Sequence, residues 1–139
     1  MKQMMRLIDK WFREWYKQAG ASEQQISIVE ALLEVQFPGD YKNLLRWSNG
    51  GEGQLGNTYV SLWAVEELVQ LNEDYKIGVF LPDVVCIGTD GGPNAFCLDY
   101  ATASGRPSLI QAPLGGLGRD DVLFLGDDFT SGLQTAISM

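Results

Sequence analysis

The chain has 139 residues, 45% of them hydrophobic and 20% charged, which suits one folded domain and excludes the apolar-poor, charge-rich profile of disorder. Ten basic residues face eighteen acidic ones, with no histidine, for a formal net charge of −8. Residues 1–17 hold five basic and two acidic side chains, so the rest of the chain is strongly acidic and repels phosphate backbones, which argues against nucleic-acid binding.

Met4, Leu7, Ile8, Trp11, Phe12 and Trp15 recur at helical spacing, predicting an amphipathic helix over residues 3–18 that ends near Gly20. Its polar face is basic. Two uses fit it: packing of the aromatic stripe on the rest of the domain, or contact with a membrane surface or partner. A stripe left over from the core would also suit a homodimer. Charged residues interrupt every apolar run, so neither a signal peptide nor a spanning helix is expected, and cytoplasmic residence with reduced thiols follows as the default.

Ser22 and Gln25 form a capping-box pattern ahead of Ile26, Val29, Leu32 and Leu33, predicting a second helix that ends before Phe37-Pro38. Pro38 and Asp40 favour the first turn of a third helix over 39–48, stopped by Asn49-Gly50. Gly51 to Gly56 reads as a glycine-rich loop. Tyr59–Trp63 reads as a strand, and Val65, Leu68, Val69 and Tyr75 stripe a helix over about 64–75.

Val84–Thr89 and Ala95–Tyr100 flank a Gly/Asp/Pro/Asn cluster, the pattern of a hairpin. A two-residue turn at Gly91-Gly92 sets Cys86 opposite Cys97. A cross-strand disulfide is then conceivable, but two small apolar thiols packed side by side is the favoured reading. Ser108–Ala112 gives a further strand, Pro113–Asp121 a loop, Val122–Leu125 a short strand or helix lead-in, and Phe129, Leu133 and Ile137 a closing helix. The fold class is therefore α+β: a central antiparallel sheet meander flanked by N-terminal helices and a C-terminal helix, in a single domain over 1–139 with 1–20 as an extra amphipathic helix.

Catalytic chemistry finds little to work with. Without histidine no Ser-His-Asp or Cys-His arrangement and no imidazole metal site can be assembled. The lysines sit in or beside predicted helices rather than next to a nucleophile on a sharp turn. Gly51-Glu52-Gly53-Gln54-Leu55-Gly56 matches a dinucleotide-loop pattern, but a helix precedes it and a strand follows, the reverse of what pyrophosphate binding needs. Asp120-Asp121 and Asp127-Asp128, with Asp90 and Asp99 around the hairpin turn, match no EF-hand spacing. They read as solvated loops and caps, or as a partner-facing surface. No cofactor is expected.

Phe37-Pro38-Gly39-Asp40-Tyr41-Lys42, Asn49-Gly50-Gly51, Leu62 with Glu67-Leu68, Ile87-Gly88-Thr89-Asp90-Gly91-Gly92 and Phe96-Cys97-Leu98-Asp99 follow one another along the chain. In that order these short motifs resemble the SUKH superfamily, which contains fungal cell-wall-assembly regulators and bacterial toxin-immunity proteins. Pro93 stands where the family usually has another glycine, and the closing helix keeps only Phe129 and Leu133 of its pattern. The resemblance implies a non-enzymatic domain that binds proteins, most readily an immunity protein covering the active site of a basic toxin domain such as a nuclease. A regulatory or scaffold module with a housekeeping partner is the alternative. Candidate contact residues are Glu52, Asp90, Asp99, Asp120, Asp121, Asp127 and Asp128, with Tyr59 or Trp63 as an aromatic anchor if exposed; Trp47 and Trp63 are read in preference as core residues.

Overall fold

The computed structural model describes residues 2–139. Six strands form one antiparallel sheet in chain order: β1 (Gly51–Leu55), β2 (Thr58–Leu62), β3 (Val84–Thr89), β4 (Asn94–Asp99), β5 (Ser108–Pro113) and β6 (Leu123–Gly126). Helices α1 (Lys2–Trp11), α2 (Glu23–Leu33) and α3 (Gly39–Trp47) precede the sheet. Helices α4 (Leu68–Asp74) and α5 (Ile77–Phe80) lie between β2 and β3, and α6 (Phe129–Ser138) closes the chain. This is the α+β meander that the alternation of patterns implies.

Local chemistry explains most boundaries. In α2 the Ser22 hydroxyl accepts from the Gln25 N–H, and the Gln25 side chain accepts in return from the Ser22 N–H, so the capping box forms as read. Helix α6 starts at Asp128, whose carboxylate accepts from Ser131 N–H at 2.8 Å. Asp40, from the turn that starts α3, reaches across to the same helix end and accepts from both Thr130 N–H (2.9 Å) and its hydroxyl (2.7 Å). Residues 65–67 form a tighter helical turn ahead of α4, and α5 is an additional short helix that no periodic pattern announces.

One sheet face carries the larger core. Val60, Leu62, Val85, Ile87, Phe96, Leu98 and Leu109 pack there under α1, α2, α3 and α6. The opposite face is covered only over β3–β5, where Cys86, Ala95, Cys97 and Ile110 meet Ile77 from α5, Leu81 just after it, and Leu114, Leu117 and Val122 from the loop before β6. Beyond β3, the outer face of β1 and β2 carries the exposed Glu52, Gln54 and Tyr59.

Four expectations need correction. The first helix stops at Trp11, not at residue 18, because tertiary hydrogen bonds take the chain over: Tyr16 N–H donates to Glu52 O at 2.7 Å, Gln18 N–H to Ser48 Oγ, and Ala21 N–H to Leu45 O. Phe12 and Trp15 are buried all the same, from an irregular segment laid along β1. Met4, Leu7 and Ile8 are equally buried, so the stripe is used within the chain and gives no ground for a homodimer.

The glycine-rich loop at 51–56 is instead strand β1. Its glycines admit the N-terminal segment: a Cβ on Gly51 would stand 2.5 Å from the Trp15 indole nitrogen, and one on Gly53 2.8 Å from Glu14 O.

The β3–β4 connection is not a two-residue turn. Pro93 has no N–H to close one, so the loop widens, with Asp90 N–H donating to Asn94 O. Val84↔Asp99, Val85↔Leu98 and Cys86↔Cys97 keep the expected register, which then slips by one residue around Ile87.

Cys86 and Cys97, both fully buried, are joined as a disulfide rather than standing as two thiols, and no free cysteine remains among the described residues.

Candidate protein-binding surface

Strand alternation builds this surface. Val60 and Leu62 point into the core from β2, so Tyr59 and Ser61 face outward, as do Glu52 and Gln54 beside Gly53 and Leu55 on β1. The register sets Glu52 opposite Ser61 and Gln54 opposite Tyr59. The Tyr59 hydroxyl donates to the Glu52 carboxylate, and that bond, with some burial and the Glu52 charge, raises the phenol above its ordinary range. The Tyr59 ring also lies against the β3–β4 turn, where a Cβ on Gly91 would come within 2.8 Å of it. Gly91, at φ 81°, is therefore required both by the turn and by the ring beside it.

Past Ser61 the chain leaves the sheet at Trp63, whose indole stacks on Tyr75 with ring centroids 6.1 Å apart and planes 4° from parallel. Beside Trp63 lies a cleft of about 500 Å3, lined also by Asn49, Glu52, Ser61, Glu66 and Glu67. Asn49 holds its wall together: Oδ1 accepts from Val65 N–H at 2.7 Å, and Nδ2 donates to both carboxylate oxygens of Glu66. Glu67 accepts from Ala64 N–H. None of the described lining residues is Lys or Arg, so three carboxylates set the sign of the cleft. Tyr16, 76% exposed, stands on the segment bonded to β1 and borders the same face.

The sequence-derived contact candidates do not converge. Glu52 and Tyr59 are hydrogen-bonded partners on the open face, with the Asp90 turn beside them. The Asp90 carboxylate is spent on that turn, accepting from Gly92 N–H (2.9 Å), Asn94 N–H (3.3 Å) and Asn94 Nδ2 (3.1 Å). Asp99 is only 8% exposed and holds Arg119 at 2.7 and 3.2 Å, while Arg119 also donates to Pro82 O. That pair pins the loop before β6 over the disulfide side of the sheet, so Asp99 is engaged inside the fold. Asp120, Asp121, Asp127 and Asp128 lie around β6, four strand spacings or roughly 19 Å from β2. Among them Asp128 is occupied as the α6 cap.

Residues that the sequence did not place on this surface are Tyr16, Ser61, Glu66, Glu67 and Tyr75. Period-two alternation from Tyr59 could have found Ser61. Tyr16 and Tyr75 arrive from distant segments, which no local pattern reports.

The surface offers recognition groups: aromatic rings with polar tips, carboxylates and an amide. Among the described residues no group of three or more His, Cys, Asp or Glu side chains is placed to hold a metal ion, and no helix is long and apolar enough to cross a membrane.

Residues 20–135 match the SMI1 / KNR4 family (SUKH-1). The chain belongs to that family. No curated protein matches it. The family includes immunity proteins and the SMI1/KNR4 regulators, and its members are generally non-catalytic. Its motifs acquire physical roles here. Tyr41 is buried in the core, Lys42 pairs with the buried Glu30 at 3.5 Å, Asn49 braces the cleft, and Gly50 and Gly51 take φ of 79° and 116° where the chain enters β1. The matched span begins after α1, although Met4, Leu7 and Ile8 of that helix are built into the same core.

Proposed function

We propose that this SUKH-1 domain is a non-enzymatic immunity protein that binds a basic toxin domain, of the nuclease type, and covers its active site from the open β1–β2 face. One observation carries the reading: an uncovered strip of sheet bearing Tyr59 and Glu52, beside a cleft lined in part by the half-buried Trp63 and whose charged lining is wholly acidic, in a chain of net charge −8. Tyrosine and tryptophan supply large, stiff contact area, and carboxylates compete for a cleft shaped for a polyanion while accelerating encounter. Such a toxin acts inside the cell, so the cytoplasm is the proposed place of action.

The test is co-purification of the full chain with purified basic toxin domains of its own strain, followed by calorimetry between about 50 and 300 mM salt. Tight 1:1 binding that weakens with salt, toxin activity lost in the complex, and at least about tenfold weaker binding by Glu52→Gln or Tyr59→Ala are the expected results. Binding confined to a housekeeping partner, with no toxin inhibited, would instead favour a regulatory or scaffold role. Toxin inhibition that both substitutions leave intact would move the interface elsewhere.

A further inference from the structure

A second concavity, of about 540 Å3, runs between the C-terminal end of α2 and the α4–α5 corner, and it shares no lining residue with the β1–β2 cleft. Leu32 on one wall is 65% exposed and Val79 on the other 72%. Ile28, one helical turn before Leu32 and 52% exposed, extends the apolar wall along α2. The charged side chains around it are Glu34, Glu73, Asp83 and a single cation, Lys76.

Three of these four charged residues have an unusual backbone. Glu34, Lys76 and Asp83, with φ of 58°, 56° and 67°, are the non-glycine residues in the left-handed region among the described residues, and all three line this groove. Glycine adopts that conformation more cheaply than any residue with a Cβ. The groove thus carries charged side chains at positions where the local fold favours glycine.

We propose that this groove is a docking site for a basic amphipathic helix of a partner protein, with apolar residues at three- and four-residue spacing laid between Leu32 and Val79 and Lys or Arg set against Glu34, Glu73 and Asp83. Strand addition is blocked at the groove floor: Asn72 bonds both the N–H and the C=O of Cys86, and Val84 N–H donates to Leu81 O. A second copy of this chain would bring the same carboxylates face to face. The proposal is independent of the immunity reading, since either surface can be occupied without the other.

The probe is a synthetic sixteen-residue helical peptide with Leu at positions three and four apart and Lys at the flanking positions, titrated into the isotopically labelled full chain. A second peptide replaces each Lys with Glu. The Lys peptide is expected to shift the amides of Leu32, Glu34, Val79 and Asp83. The Glu peptide should bind at least about tenfold more weakly. Leu32→Ser and Val79→Ser, both at exposed positions, should abolish the shifts with the spectrum of the fold retained, while Glu52→Gln on the other surface leaves them intact. Equal binding of the two peptides, shifts centred on Tyr59 to Trp63, no shifts at all, or self-association through the groove would each overturn the proposal.

Discussion

Replacing Asn72 tests whether a single side chain closes the sheet where β2 departs from β3. β2 pairs with β3 only at Ser61↔Thr89 and Leu62↔Gly88, with a last bond from Trp63 N–H to Ile87 O, so the outward edge of β3 before Ile87 needs another partner. Asn72 supplies it from α4: Oδ1 accepts from Cys86 N–H at 2.8 Å, and Nδ2 donates to Cys86 O at 2.9 Å and Leu68 O at 2.8 Å. Asn72→Ala strips partners from a fully buried residue's backbone, and each group so stranded costs about 1–3 kcal/mol. Asn72 lines a groove open to water, which can serve one of the two groups, so the expected loss is about 1–3 kcal/mol. With an unfolding entropy of about 2.1 cal/mol/K per residue, that lowers Tm by roughly 3–10 °C.

Asn72→Asp sharpens the test. Its carboxylate still accepts from Cys86 N–H but turns an acceptor toward two carbonyls, so at neutral pH it should be less stable than Asn72→Ala. A protonated carboxyl restores a donor. The native state therefore holds this group's pKa above its unfolded value, and the Asp variant's deficit should narrow as pH falls toward 4. Urea denaturation at pH 7 and pH 4 checks this, with Gln70→Ala, an exposed change on the same helix, as a control expected within about 0.5 kcal/mol of the parent. Parity of Asn72→Ala with the parent, or an Asp variant indifferent to pH, would refute the bracing role.

Burial raises the phenols of Tyr41 and Tyr100 above their ordinary range, so the unfolded chain releases protons first as pH passes about 10. Stability from these groups is complete below that pH and falls above it. Urea midpoints at pH 9 and pH 11 should therefore diverge less in Tyr41→Phe, which also removes a buried hydroxyl without a hydrogen-bond partner and should cost under about 1 kcal/mol at pH 7. Reduction of Cys86–Cys97, eleven residues apart, should lower stability by about 3 kcal/mol in the chain-entropy account, and the unreduced denatured protein should yield no thiol to a titrating reagent. Arg119→Ala leaves the Asp99 carboxylate partly buried without its cation, so a loss of about 2–4 kcal/mol is expected, readable as a lowered urea midpoint. Gly88→Ala puts a Cβ 2.3 Å from Ser61 O and should separate β2 from β3, detectable as faster amide exchange at Ser61 and Leu62.

What was legible in the sequence was whatever is decided by neighbours along the chain. The Ser22/Gln25 box, the Pro38 start of α3, the closing helix and strands β3 to β5 follow from capping, proline geometry and periodicity, each a property of a few consecutive residues. Illegible features share the opposite origin. β1 reads Gly-Glu-Gly-Gln-Leu, with no β-branched residue to mark it, and is a strand because β2 pairs it on one side while Tyr16 bonds to Glu52 on the other. α1 stops at Trp11 for the same reason, since the residues that would extend the helix are bonded to β1 and α3 instead, and burial of Phe12 and Trp15 preserved a helical pattern where there is no helix. The proposed surface divides along this line too. Tyr59 and Glu52 could be proposed from their own segments, but both acidic pairs, at 120–121 and 127–128, lie around β6 at the far edge of the sheet, and Asp99 is drawn inward by Arg119 twenty residues away. A run of carboxylates in sequence reports local solvation, whereas a binding face depends on which residues the meander leaves uncovered. The face proposed for this chain is the outer side of β1 and β2, which, like Leu123 and Phe124 on β6, stays open because the cover provided by α5 and the loop before β6 lies over β3 to β5.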